Sequence, residues 1–171
     1  YYKGHSILVE AIARNPNIEA WLVGEGEEKR SLLNLIEARK LTNRFFVLGS
    51  MTHSKLAEAF SQCDLVCLPS IERTEAFGLV LAEAARAGKP SLVTNVGGSG
   101  MSWVVREGFT GWVVKAGSIS DLSKTLGQIA ENKAELYYRG TLARQRYEEL
   151  FRIDAVTQSI TGLYSNIHKR S

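Results

Sequence analysis

At 171 residues, against about 150 per domain, the chain amounts to one domain, and a domain of this size buries roughly 70% of its unfolded surface. It is 44% hydrophobic and 23% charged, with 15 Gly and 3 Pro, which excludes a disordered chain, a collagen and a disulfide scaffold. The 21 Lys and Arg against 18 Asp and Glu leave +3, too mild to call for nucleic acid, and the apolar stretch Leu65 to Ser70 is far short of the about 20 residues that a bilayer span needs.

Helical spacing and short apolar runs alternate along the chain, which predicts strands alternating with helices and hence an open parallel sheet in one α/β domain. A helix over His5 to Arg14 carries Leu8, Ala11 and Ile12 on one face and ends before Pro16. "EAWLVGEG" reads as a buried strand breaking at Gly24, followed by a helix to Lys40 with Leu32, Leu35 and Ile36 at helical spacing. "RFFVLG" is the next strand, and a short helix then presents Leu56, Ala59 and Phe60. "DLVCLP" ends at Pro69, and a helix from Gly78 to Ala87 is closed by "AGKP". "SLVT" and "GWVV" are two further strands, separated by the glycine-rich "NVGGSG" and a short helix. Asp121 to His168 reads as two or three helices. The chain opens at Tyr1 without Met, with a helical pattern almost at once, as a piece of a longer protein would.

Cys63 and Cys67 share a face of one extended segment but stand about 13 Å apart at roughly 3.3 Å per residue. Disulfide Cα atoms lie within about 7 Å, so these two are expected to be small buried core residues with free thiols. Asp64, Asp121 and Asp154 are the only aspartates; their separation excludes a D-x-D metal site, and no metal is expected.

In an open α/β sheet, ligands bind in the crevice beyond the carboxyl ends of the strands. Those ends are "GEGEE", "GSMTHS", "PSIERTEAFG", "NVGGSG" and "KAGS", most of them rich in the small residues that allow close backbone approach. Three familiar motifs fail here. "GEGEEK" has Lys29 where a dinucleotide fingerprint needs glycine, "AGKPS" has Glu83 in place of the first P-loop glycine, and "GGSGM" has Met101 where a nucleophile elbow closes with glycine.

"PSIERTEAFGLVLAEAARAGKP" remains. Glu75 lies in the loop just ahead of a helix, and Glu83 lies one to two turns inside it. The amides of Phe77, Gly78 and Leu79 form that helix's N-terminus, which suits an anionic or hydroxyl-rich ligand. Carboxylates accept strong hydrogen bonds from vicinal hydroxyls, so the constellation fits a sugar diphosphate carrying a ribose. The apolar neighbours Leu81, Ala82, Ala84 and Ala85 argue against an ordinary solvated face at Glu83. Glu72, three residues before Glu75, is a competitor for its role, and the "EAFG" context favours Glu75.

At these residues the chain resembles the C-terminal half of group 1 retaining glycosyltransferases (family 4, two-domain GT-B architecture). "YKGHSILVEAIA", "LVGEGEEKRSL", "FVLGSM", "DLVCLPS" and "EAFGLVLAEAARAGKPSLVTNVGG" follow in the family's order, covering nearly the whole chain. "PSIERTEAFG" with "GGSGMSWVVREGFTGWVV" is most similar to members that build bacterial surface polysaccharides. The resemblance implies a Rossmann-like sheet with flanking helices, one half of a GT-B fold. It further implies a nucleotide-sugar donor-binding domain over residues 1–153 without its first strand, and a helix over 154–171 that crosses toward an N-terminal domain outside this chain.

The implied roles fall on single positions. Lys3 binds the donor diphosphate and with Glu75, which holds hydroxyls of the transferred sugar, forms the catalytic pair. Phe77, Gly78 and Leu79 offer amides to sugar and phosphate, and Glu83 takes the ribose hydroxyls. Gly49, Ser50 and Met51 line the base, Gly24 lets the chain pass close to the donor, and Gly97 and Gly98 border the diphosphate. The family usually pairs its lysine with an arginine at the end of the preceding strand, which this chain begins too late to hold. Many members have a glutamate after the glycine pair, where "SGMSW" stands here, so that segment is given no role.

The implied activity is metal-independent retaining transfer from a nucleotide sugar to a glycan, lipid-linked or small-molecule acceptor, with no cofactor and no nucleic acid, in the cytoplasm or peripherally at the inner face of the membrane. The isolated chain is expected to be inactive without its N-terminal partner domain. The rival readings are a non-catalytic nucleotide-sugar-binding scaffold and another GT-B enzyme such as a nucleotide-sugar epimerase.

Overall fold

A computed structural model describes residues 2–168, and within its last helix the side chains as far as Thr161 together with that of Tyr164. The elements run α1 (His5–Ala13), β1 (Ala20–Val23), α2 (Lys29–Ala38), β2 (Phe45–Gly49), α3 (His53–Gln62), β3 (Val66–Leu68), α4 (Leu79–Arg86), β4 (Ser91–Thr94), α5 (Met101–Val104), β5 (Gly111–Val114), α6 (Ile119–Glu131), α7 (Lys133–Leu150) and α8 (Ile153–His168). Polar side chains start three of the helices. Thr52 accepts from the Lys55 amide, Ser118 from Asp121 and Asn132 from Glu135, each satisfying an orphan N–H of the first turn.

All strands are parallel, as alternation with helices requires. Their hydrogen bonds form two ladders rather than one continuous sheet: β1 pairs with β2, and β3, β4 and β5 pair in that order. What joins the ladders is side-chain packing. Leu8, Val9, Ala11 and Ile12 of α1 sit in one buried cluster with Phe45 of β2, Leu92 of β4, Val114 of β5 and Leu122, Leu126 and Ile129 of α6. A smaller cluster of Leu68, Leu81, Val93, Met101, Val104 and Val105 backs the loops that follow β3 and β4. Every residue of β4 is buried, as befits the middle strand of its ladder.

Cys63 and Cys67 are free thiols. Burial pushes both up, Cys67 to about 12, so neither is a thiolate near neutral pH. Among the described residues no helix is long and apolar enough to cross a membrane. Along α8, the apolar residues Val156, Ile160 and Tyr164 are exposed.

Candidate functional site

The segment between β3 and α4 is held from both sides. The Ile71 amide donates to the Tyr2 carbonyl at 2.8 Å, which ties it to the chain entering α1. The Thr94 hydroxyl donates to the Ser70 carbonyl, the Ser99 hydroxyl to the Glu75 carbonyl at 2.5 Å and the Gly100 amide to the Ala76 carbonyl at 2.6 Å. These bonds bring two of the expected residues together: Lys3 Nζ lies 3.5 Å from Glu75 Oε2, with the Lys3 side chain 44% exposed and that of Glu75 14%. Glu72, its competitor, is exposed. The "SGMSW" segment, left without a role on sequence grounds, turns out to position the Glu75 loop through Ser99 and Gly100.

Gly78 turns the chain from this loop into α4 with φ +75°. A Cβ there would stand 2.8 Å from Leu81 Cδ1 and 3.0 Å from Leu68 Cδ2, so both the left-handed backbone and the space behind it demand glycine. The Phe77, Gly78 and Leu79 amides have no acceptor among the described residues. The Phe77 ring packs with those of Trp103 and Phe151, each with centroids 6.2 Å distant. Three free N–H groups at a helix N-terminus thus follow Glu75 within four residues of the chain, with the partial positive charge that such an end carries.

The remaining expected residues divide. Gly24 and Gly49, at the ends of β1 and β2, are joined by an amide-to-carbonyl hydrogen bond of 2.8 Å. Ser50 is exposed and Met51 half-buried in the turn before α3. Gly97 and Gly98 follow β4, and the Arg73 side chain lies across Gly98. Glu83 is exposed and takes no side-chain partner among the described residues, so the expectation that its apolar neighbours deny it a solvated face is corrected. Leu81, Ala84 and Ala85 turn into the core while Glu83 faces outward, as the 3.6-residue period allows. The structure gives Glu83, Ser50 and Met51 no direct contact with Lys3 or Glu75.

His5, the first residue of α1, is held below its ordinary value of 6.5 by burial and then by the Lys3 charge, with Glu28 pulling weakly the other way. Arg73, Ser70 and Ser99 lie on the loops that follow β3 and β4, and the sequence singles out none of them. Ser70 Oγ is buried without a partner among the described residues. Among those residues no three His, Cys, Asp or Glu side chains gather as metal ligands would. A half-exposed ammonium, a half-buried carboxylate and three free amides can bind an anion and hydroxyls at one place.

The family model described as glycosyl transferases group 1 matches residues 1–146. The O-antigen chain mannosyltransferase C of Escherichia coli is 28% identical over 167 residues, 98% of this chain and 44% of that protein. Of solved structures, the sucrose-phosphate synthase of Thermosynechococcus elongatus superposes with a TM-score of 0.85 at 28% identity, over 99% of this chain and 43% of that one. HepE of Anabaena in complex with UDP gives 0.86 at 26% identity, over 96% of this chain and 46% of that one. The chain therefore spans less than half the length of these relatives.

Proposed function

The chain belongs to the group 1 glycosyl transferases and has the fold of the C-terminal half of GT-B enzymes, and from this premise we propose that it is the donor-binding domain of a retaining, metal-independent glycosyltransferase acting in glycan or polysaccharide synthesis. The observation that carries the reading is the Lys3–Glu75 pair, with Glu75 on the loop that runs directly into the free amides of Phe77, Gly78 and Leu79. A nucleotide sugar offers the complement of both: a diphosphate for the ammonium and amides, and sugar hydroxyls for the carboxylate. That HepE is seen with UDP agrees with this choice of ligand.

In this mechanism the donor separates the ion pair. Lys3 turns to the diphosphate, Glu75 accepts hydrogen bonds from the transferred sugar, and Glu83 accepts from the ribose hydroxyls. Gly49, Ser50 and Met51 line the base, Gly24 leaves room for the chain to pass it, and Gly97 and Gly98 border the diphosphate. The bond between the anomeric carbon and the diphosphate oxygen breaks while the acceptor oxygen bonds to that carbon from the same face. The acceptor proton passes to the departing diphosphate, whose growing charge Lys3 and the helix amides stabilise. The acceptor is a glycan, a lipid-linked molecule or a small molecule, held by an N-terminal domain at the cytoplasmic side of a membrane.

Calorimetry with nucleoside diphosphate and with the intact donor tests the assignment. Glu83→Ala weakens both ligands by about 1–3 kcal/mol, the worth of a charge-assisted hydrogen-bond pair, whereas Glu75→Ala spares the nucleotide and weakens only the sugar-bearing donor. Equal losses for both ligands in both variants would sink it. In the full-length enzyme, epimerised free sugar in place of a transfer product would point to the epimerase instead.

A further inference from the structure

We propose that Arg73 is a second cation of the diphosphate site, reaching the phosphate oxygens across Gly98. The inference rests on the nucleotide-sugar reading above and adds a residue to it. Arg73 leaves the loop two residues before Glu75, and its side chain lies flat on the Gly98 backbone: a Cβ built on Gly98 would stand 3.0 Å from Nε, 3.2 Å from Cδ and 3.3 Å from Cζ. Gly98 itself has φ +76°. A side chain at that position would crowd the arginine and push it back by a few tenths of an ångström.

The guanidinium is exposed and forms no ion pair or hydrogen bond among the described residues. Among the described residues Arg14, Arg30, Arg86 and Arg106 share that state, Arg106 with its guanidinium over the Phe109 ring. Arg39, Arg139, Arg144 and Arg152 pair with carboxylates, while Arg44 and Arg146 donate to backbone carbonyls. Five donors in a planar fork are left for a ligand. Their placement is not left to the loop alone, because Ser99 and Gly100 bind the Glu75 and Ala76 carbonyls and so lock the Arg73 loop to the turn that carries Gly98. On one side of the Glu75 carboxylate stands Lys3, already paired with it, and on the chain just before it stands Arg73 with no counter-ion. A diphosphate bordered by Gly97 and Gly98 meets that fork with two phosphate groups that accept bidentate hydrogen bonds.

The test is titration of the whole chain with UDP, GDP, uridine and UDP-glucuronate, comparing Arg73→Gln and Arg73→Lys with Lys124→Gln, a charge-matched change on the exposed face of α6. Arg73→Gln is expected to weaken UDP about tenfold, the worth of one charge-assisted hydrogen bond, and to leave uridine and the ligand-free melting temperature unchanged. Arg73→Lys recovers part of the loss, and Lys124→Gln has no effect. UDP binding unaltered by Arg73→Gln overturns the proposal while leaving the donor site intact. So does a loss confined to UDP-glucuronate, which would move the contact to a sugar carboxylate. If the unaltered chain binds neither UDP nor GDP, the nucleotide-sugar reading falls and this proposal with it.

Discussion

His5 opens α1 two residues after Lys3, and its imidazole is more easily kept neutral in the folded chain than in the unfolded one. Because the unfolded state then binds the proton more readily, stability is complete above the ordinary value of 6.5 and is lost as pH falls below it. Thermal melts between pH 7.5 and 5 should show this decline, and His5→Asn should flatten it. An equally steep decline in the variant would place the effect elsewhere. Glu75 and Lys3 show what residue-level reading could and could not reach. "EAFG" marks Glu75 by its neighbours in the chain, but the ion pair with Lys3 depends on how the entry to α1 meets the end of β3, which no spacing encodes. Arg73 was invisible for the same reason: its one distinguishing contact is with Gly98, across a turn of a different strand. The four apolar neighbours of Glu83 predict a face closed to solvent, but Leu81, Ala84 and Ala85 turn into the core and Glu83 does not turn with them.

Among the elements, punctuation made the chain readable. Pro16, Pro69 and Pro90 cannot continue what precedes them, and Gly24 and Gly49 mark where strands stop, so the observed ends fall within a few residues of those expected. The last helix, expected to cross toward another domain, carries apolar residues that this domain does not cover: Val156, Ile160 and Tyr164 are exposed, and Ile153 is 82% exposed. The residue just before it behaves differently: the Phe151 ring meets Trp103 edge-on at 5.5 Å and Phe77 at 6.2 Å, which supports the loop bearing the free amides. Truncation after Arg152 is therefore expected to change unfolding free energy by under about 0.5 kcal/mol, the range of surface changes. Phe151→Ala should cost about 2 kcal/mol, less than a fully buried phenylalanine. Urea denaturation of both variants measures the contrast, and a truncation as damaging as Phe151→Ala would mean that α8 is a structural part of this domain.

For the molecule as a whole, the proposed donor site draws its groups from one α/β unit among the described residues. Holding an acceptor about 3 Å from the reacting carbon is worth about 7–11 kcal/mol of barrier, and nothing in the one α/β unit supplies a second wall for it. The 171-residue chain is thus expected to bind nucleotide and to show no turnover with any nucleotide sugar; a transfer product from the purified chain would refute this. That both ladders would be parallel was legible from the alternation of periods. Their separation was not, because hydrophobic pattern specifies which face of a strand is buried and says nothing about which edge is paired.

The separation of the ladders has a consequence on the clock of isotope exchange. In a parallel strand successive N–H groups point to opposite edges. The Val66 amide donates to the Pro90 carbonyl and the Ala20 amide to that of Arg44, which leaves the Cys67 and Trp21 amides on the edges where no strand is paired. Leu92, its register partner in β4, has a strand on both sides. In deuterated buffer the Cys67 and Trp21 amides should therefore trade their protons through small local openings, and the Leu92 amide only through rare, larger ones. Matching lifetimes for Cys67 and Leu92 would show that the two edges are closed to water by something other than a hydrogen-bonded strand.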